Sequence, residues 1–192
     1  MKKFYSLVAA VILAATFHAQ SFTATYDFTE APAPDNGDLV GSNLSISAFT
    51  ATGLNSTTTG NRFAWSGAPL AATPDTGKYF EVTLTPAANY MITVNSVTFR
   101  SQRSGTGPRY YVVRSSADTF AANLPASINN ANTELEILPV NQFHFKNDIS
   151  TGQDGNNVTP INIVDIAAPV KLRFYFYEAE AITGTFSVDD VV

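Results

Sequence analysis

Apolar and polar side chains alternate along residues 78–85 (KYFEVTLT) and along residues 171–177 (KLRFYFY). This period of two is that of a β-strand with one side in a core. The residues that it assigns to the core are Phe80, Val82, Leu84, Leu172, Phe174 and Phe176. Short runs of the same kind recur between turn signals, and helix signals are nearly missing. The sequence therefore predicts an all-β protein, a two-sheet antiparallel β-sandwich of about ten short strands.

Residues 1–20 have the form of a secretory signal peptide. Two lysines near the start precede an apolar run over residues 7–15 that is too short to span a bilayer. We expect cleavage between Thr16 and Ser21. Residues 21–192 then form a single domain that is long enough for a real core. The protein is expected to be exported by a bacterium, and to be extracellular or held at the cell surface.

The charge and the cysteine content exclude several classes of protein. The formal net charge is −5 for the whole chain and becomes −7 without residues 1–20, which hold two lysines and no acid. Such an acidic chain has no electrostatic basis for binding nucleic acid or an anionic membrane. No second apolar stretch approaches the length of a transmembrane helix. Cysteine is absent, so an exported domain must be held by packing, or by packing and a metal ion.

Arginines are concentrated along residues 100–116, where two strand-like runs flank a Ser-Gly-Thr-Gly-Pro turn. They are Arg100, Arg103, Arg109 and Arg114. The pattern predicts a β-hairpin near the middle of a sheet. The guanidinium groups could bind sugar hydroxyls or an acidic glycan. Alternatively, they could pair with carboxylates such as Asp118 or Glu81 and hold the hairpin on the sheet, which is the interpretation that we favour.

Residues that could catalyse a reaction are sparse. His144 is the one histidine after residue 20, and no thiol or Gly-x-Ser-x-Gly motif occurs. The pairs Glu134/Glu136 and Glu178/Glu180 have the i, i+2 spacing that a two-carboxylate glycosidase could use, but any solvated strand has the same spacing. The sequence therefore predicts a protein that is not an enzyme.

Tyrosines give a stronger indication of ligand binding. Tyr79, Tyr175 and Tyr177 occupy the strand positions opposite the predicted core residues, and Arg173 shares that side. Aromatic rings stack on the apolar faces of sugars while polar neighbours bond the hydroxyls. The candidate ligand-binding residues are Trp65, Tyr79, Arg109, Arg173, Tyr175 and Tyr177. The alternative is that outward tyrosines cover a sheet that loops partly shield.

The last strand raises a question about its carboxylates. Phe186 and Val188 alternate inward, so strict alternation would send Asp190 inward as well. Either an irregularity intervenes or the carboxylate lies at the margin of the core. A carboxylate there would need an arginine or a hard cation such as calcium as its partner.

Three segments carry a resemblance to a known family: residues 103–109 (RSGTGPR), residues 113–120 (VRSSADTF) and residues 184–191 (GTFSVDDV). They resemble the jelly-roll β-sandwich domains of secreted Bacteroidota proteins, which are similar to galactose-binding-like carbohydrate-binding modules. The resemblance covers about residues 22–192. It implies a jelly-roll fold.

The resemblance also implies a function. A non-catalytic module that binds a polysaccharide or glycan is expected, and neighbouring domains outside this chain are possible partners. The alternative is a structural or adhesion domain without a small ligand. Modules of this kind often hold a structural calcium ion, which carries over here to Asp27 or Glu30 with Asp189 or Asp190. We take Asp27 and Asp189 as the candidate metal ligands.

Overall fold

The computed structural model describes residues 21–29, 36–57 and 60–192. The predicted signal peptide and Glu30 lie outside these residues. The described part contains seventeen strands and one short 3-10 helix, η1 (Ser116–Asp118). The strands are β1 (Thr23–Thr25), β2 (Asp38–Val40), β3 (Leu44–Ile46), β4 (Thr50–Thr52), β5 (Asn55–Ser56), β6 (Phe63–Ser66), β7 (Tyr79–Pro86), β8 (Ile92–Val94), β9 (Val97–Arg103), β10 (Pro108–Ser115), β11 (Ser127–Ile128), β12 (Leu135–Leu138), β13 (Gln142–Phe145), β14 (Gln153–Val158), β15 (Ile163–Ile166), β16 (Val170–Ala179) and β17 (Thr185–Asp189).

Two antiparallel sheets make up the body of the protein. The first sheet has the order β12-β13-β10-β16-β7-β3, with β4 also paired to β7, and the second has the order β11-β14-β9-β17-β6-β5. The pairs β1–β2 and β15–β8 form two small sheets. The predicted β-sandwich is confirmed, although the number of strands exceeds ten, because short edge strands extend both sheets.

The connections between the longer strands are those of a jelly roll. Eight of these strands, taken in chain order, are β6, β7, β9, β10, β13, β14, β16 and β17. They alternate between the second and the first sheet except at β10 and β13, which are neighbours in the first sheet. The result is four strands in each sheet, ordered β14-β9-β17-β6 and β13-β10-β16-β7. Eight strands divided in this way between two facing sheets form a jelly roll.

Aromatic side chains fill the space between the sheets. All six core residues predicted from the alternation are buried. Phe176 of the first sheet packs against Phe186 of the second with ring centroids 4.7 Å apart, and Phe174 packs edge-on against Phe99 at 5.2 Å. Edge and offset contacts between rings stabilise a core beyond the burial of their area. The core therefore joins the two sheets through rings as well as aliphatic side chains.

A small polar network lies inside this core. The Tyr111 hydroxyl on the first sheet donates to Oδ1 of Asn156 on the second at 2.5 Å, and it lies 2.9 Å from the Ser101 hydroxyl. Asn156 in turn donates to the carbonyl oxygens of Phe99 and Gln153. Burial raises the pKa of Tyr111, so the group stays a neutral phenol. These bonds satisfy polar atoms that would otherwise destabilise the core.

The arginine-rich segment does not form the predicted hairpin. β9 belongs to the second sheet and β10 to the first, so the chain crosses between sheets at the turn over residues 104–107. The amide of Gly107 donates to the Ser104 carbonyl oxygen at 2.9 Å across this turn. A Cβ atom at Gly107 would collide with the carbonyl oxygen of Thr185. The prediction was wrong because a tight turn can join strands that face each other across a core as well as strands that pair edge to edge.

Two irregularities of the backbone interrupt the alternation of side chains. Val94 and Val97 are both buried although they are three residues apart, and residues 95–96 between them separate β8 from β9. Asp190 has a φ of 46° and is exposed, and the following Val191 is buried and paired with Tyr26. An irregular backbone, and not an inward carboxylate, therefore ends the last strand. Among the described residues no helix has the length and apolar character needed to cross a membrane.

Candidate functional site

The outer side of the first sheet carries the tyrosines that the sequence singled out. Tyr79 on β7 and Tyr175 and Tyr177 on β16 share this side, and Tyr110 on β10 lies beside them. We call these four residues the tyrosine face. The predicted side of the sheet is therefore right. The predicted exposure is wrong for two of the rings, because Tyr175 is 1% exposed and Tyr177 is 3% exposed.

Mutual stacking accounts for this burial. The Tyr110 ring lies between His144 and Tyr177, with centroids 4.5 Å and 5.7 Å away and planes nearly parallel to both. Tyr79 meets Tyr175 edge-on at 5.6 Å. Burial raises the pKa of Tyr177 to about 12. Ring faces that are in contact with other rings cannot also stack on a sugar.

Arg173 is also occupied by residues of the protein itself. Its guanidinium carbon lies 3.9 Å from the centre of the Tyr79 ring and 4.0 Å from that of Phe120, and its Nε donates to Glu81 at 2.7 Å. Lys171 donates to the other oxygen of Glu81 at 2.8 Å. Burial opposes ionisation of this carboxyl, but the bonds and charges of the two cations outweigh it and lower the pKa of Glu81. This arrangement favours the alternative, in which the tyrosine face stabilises the sheet.

Trp65 and Arg109 lie apart from the tyrosine face. Trp65 is on β6 of the second sheet and packs inward, with its ring 5.5 Å from that of Phe63. Arg109 binds the carboxylates of Asp148 and Glu180 at 2.5 Å and 2.7 Å. The six predicted ligand-binding residues are thus not brought together in one site.

Arg103 shares both carboxylates with Arg109, but its side chain is fully buried. It donates to the carbonyl oxygens of Gly105 and Gly107 as well as to Asp148 and Glu180. The hydrogen bond from Arg103, together with the charges of both arginines, lowers the pKa of Asp148. Arg100, Arg103 and Arg109 do pair with carboxylates, as we favoured, but not with Asp118 or Glu81. Arg114 donates instead to the side chain of Asn123 and to the Phe120 carbonyl oxygen. Arg103 closes one end of the core and holds the turn between the sheets.

The other titratable groups that the sequence raised have structural partners. Nδ1 of His144 lies 2.7 Å from Oε1 of Glu136 on the neighbouring strand. Glu134 accepts from the amide of Asn147, and Glu180 binds the two arginines of the corner. Three of these four carboxylates, those of Glu134, Glu136 and Glu180, are therefore occupied by side chains of the protein itself.

A polar groove on the outer side of the second sheet is the strongest candidate for a binding site. Two depressions of about 240 Å³ and 270 Å³ meet at Arg100 of β9. Their polar lining includes Arg62, Arg100, Gln102, Asn129, Asp154 and Asp189. We call these six residues the arginine groove. The sequence indicated Arg100, but Arg62 and Asp154 come from distant segments and carried no signal of their own.

The two arginines of the groove differ from the others in their bonding. Arg103, Arg109, Arg114 and Arg173 all donate side-chain hydrogen bonds. Among the described residues, neither Arg62 nor Arg100 donates one; the buried Nε of Arg100 has no hydrogen-bond partner and is near a carboxylate oxygen of Asp154 only at ion-pair distance. Arg100 lies 3.5 Å from Asp154, and its side chain is 41% exposed. The groove therefore holds unused donors beside carboxylate and amide acceptors.

The predicted metal ligands have different surroundings. The bridge between Tyr26 and Val191 brings the two ends of the domain together. Asp27 is exposed and accepts from the amide and the hydroxyl of Thr29. Asp189 lines the arginine groove. Its burial, and after that the negative charge of Asp190, raises the pKa of Asp189, although the charges of Arg100 and Arg62 oppose this shift. Within the described ranges, no group of three His, Cys, Asp or Glu could hold a metal ion. The calcium ion stays a prediction of the resemblance.

Chelation tests that calcium ion. If Asp27 and Asp189 share it, a chelator should lower the melting temperature by several degrees at pH 7, because a ligand bound only by the folded state stabilises that state. Asp189→Asn is the matched control, and its melting curve should not respond to the chelator. Identical curves for the unsubstituted protein with and without chelator would contradict the prediction.

Comparison of the chain with protein-family models, with curated proteins and with solved structures finds no match. The resemblance to secreted Bacteroidota domains therefore stays a prediction. Any inference about function rests on the sites of this molecule.

Proposed function

We propose that the protein is an exported, non-catalytic module that binds carbohydrate through the arginine groove. The observation that carries the proposal is the pair of arginines, Arg62 and Arg100, that line one depression without donating a hydrogen bond within the described residues. Sugar hydroxyls accept hydrogen bonds from guanidinium groups and donate them to carboxylates such as Asp154 and Asp189. A groove that offers both kinds of group suits a ligand rich in hydroxyls.

The position of the groove supports the same proposal. Arg100 and Gln102 alternate along β9 with the inward residues Phe99 and Ser101, so the core fixes their direction. The amide of Gln102 donates to the carbonyl oxygen of Ser150, which ties the neighbouring loop to the strand. Groups held on a strand are better placed for recognition than groups on a free loop. No covalent step is part of this function.

Substitution of Arg100 tests the groove. A glycan array should give at least one hit for the unsubstituted protein, and Arg100→Ala should weaken binding to that glycan about tenfold or more, because it removes charge-assisted hydrogen bonds. Stability should change by less than about 1 kcal/mol, since the ion pair with Asp154 is solvated. Calorimetry and denaturant melts give the two quantities.

Arg109→Ala is the control, because this arginine is at the corner between the sheets and lines neither depression. Its binding should equal that of the unsubstituted protein. Equal weakening by both substitutions would move the site away from the groove. An array without hits would favour the second candidate, a structural or adhesion domain. The tyrosine face supports that candidate as well, because its rings pack against one another.

Export has its own test. The protein recovered outside the cell should begin between Thr16 and Ser21, since residues 1–20 have the charge and the length of a cleavable signal. N-terminal sequencing measures this directly. Exported protein that retains Met1 would contradict it.

A further inference from the structure

A cavity of about 700 Å³ opens between the two sheets at the end of the domain where β1 and the last residues meet. Val82 and Leu84 of β7 and Leu172 and Phe174 of β16 form its wall on the first sheet. Val94, Val97 and Val191 face them from the other side. Residues 21–24 and Tyr26 also line the space. We call it the terminal cavity.

Its size is not explained by the needs of folding. Protein cores are packed as closely as organic crystals, and voids larger than a water molecule are few. The rest of this core follows that rule, with rings in contact at about 5 Å. Clefts of 300–1,000 Å³ with apolar walls are typical of sites for small molecules. The terminal cavity has the dimensions of a binding site.

The rim and the walls differ in polarity. The walls are valine, leucine and phenylalanine side chains, whereas the rim carries Thr93, Asn95, Ser96 and Thr98. Asp165 is the one acidic side chain that the described part of the chain contributes to the lining, and its backbone amide donates to the Thr93 hydroxyl at 3.1 Å. Among the described residues of the lining there is no lysine, arginine or histidine. A carboxylate or phosphate head group would find no cation there and would meet Asp165.

We infer that the terminal cavity binds a small uncharged molecule that has an apolar body and a hydroxyl head group. The body would lie between the valine and leucine walls, and the hydroxyl would bond the threonine, serine and asparagine groups of the rim. This site is distinct from the arginine groove, since their linings share Thr98 alone. Ligand binding in the terminal cavity therefore does not depend on carbohydrate binding in the arginine groove.

A fluorescence titration tests the inference. The probe is N-phenyl-1-naphthylamine, an uncharged dye whose emission rises in apolar surroundings. The purified exported protein should bind it saturably, and 1-decanol should displace it. Decanoate, which has a chain of the same length and a negative head, should displace it at least tenfold less well. Equal displacement by both compounds would overturn the preference for an uncharged head, and failure of the dye to bind would overturn the site.

Two substitutions locate the binding. Ala24→Trp would place a large ring in the cavity from β1, and Met91→Trp would do so from the residue that precedes β8. Each should weaken dye binding at least tenfold. Ala51→Trp is the matched control, because Ala51 is also a half-buried strand alanine against the core but does not line the cavity. Circular dichroism shows which variants fold. Because the two substitutions are in different segments, the test still gives a result if one of the two variants does not fold. Unchanged dye binding in a folded Ala24→Trp or Met91→Trp protein would overturn the site.

Discussion

Replacing Tyr175 with alanine is expected to lower the free energy of unfolding by about 3–5 kcal/mol, as much as truncating a buried core ring. The side chain is 1% exposed although it is on the outer side of the first sheet. It packs with Val112, Tyr177 and Tyr79, and the Arg114 guanidinium lies 5.4 Å from its ring centre. Alanine would leave a void among these groups and would remove the cation–π contact. A urea titration measures the loss.

Two further variants separate the ring from its hydroxyl. Phe174→Ala, on the core side of the same strand, should cost about the same 3–5 kcal/mol. Tyr175→Phe keeps the ring and loses only a long contact of 3.4 Å with Arg173, so it should cost less than about 1 kcal/mol. A Tyr175→Ala protein as stable as the unsubstituted one would show that the tyrosine face does not support the sheet, and would return these rings to the list of candidate ligand contacts.

Replacing Arg103 with alanine is expected to lower the free energy of unfolding by about 3–5 kcal/mol, because its side chain is fully buried and its removal leaves a void. The substitution would remove the donors to the Gly105 and Gly107 carbonyl oxygens and leave a space at the end of the core. The turn between the two sheets depends on these bonds. Denaturant unfolding followed by tryptophan fluorescence suits this variant, since Trp65 reports from the second sheet.

Arg109→Ala is a closely matched comparison, because both arginines bind Asp148 and Glu180. The Arg109 side chain is 27% exposed, so its ion pairs are partly solvated and its loss should cost less than about 1 kcal/mol. Equal costs for the two variants would show that the carboxylates alone, and not burial and the carbonyl bonds, explain the role of Arg103.

Arg103 also illustrates how far the sequence could lead. Its position in the alternation with Val97, Phe99 and Ser101 indicates an inward side chain. Its carboxylate partners, Asp148 and Glu180, are 45 and 77 residues away in the chain. No local pattern marks those two acids among the sixteen of the chain. The sequence thus indicated that residues 100–116 are important, but it did not indicate which carboxylates bind Arg103.

The sequence by itself determined the class of fold and the side of each strand that enters the core. Phe80, Phe174 and Phe186 are buried as their alternation predicts, because the direction of a side chain along a strand depends only on local backbone geometry. The same geometry placed Tyr175 on the opposite side of its sheet from Phe174. These features follow from neighbours in the chain, so a single sequence is enough to predict them.

The tertiary structure alone decided which strands pair and what covers each outer side. It separated β9 from β10 into different sheets, buried Tyr175 beneath its neighbours and brought Arg62 to Arg100. It also opened the terminal cavity beside the wall that β7 and β16 form together in the first sheet. The physical reason is that these features depend on contacts between residues far apart in the chain, and alternation fixes the direction of a side chain but not the residue that it meets.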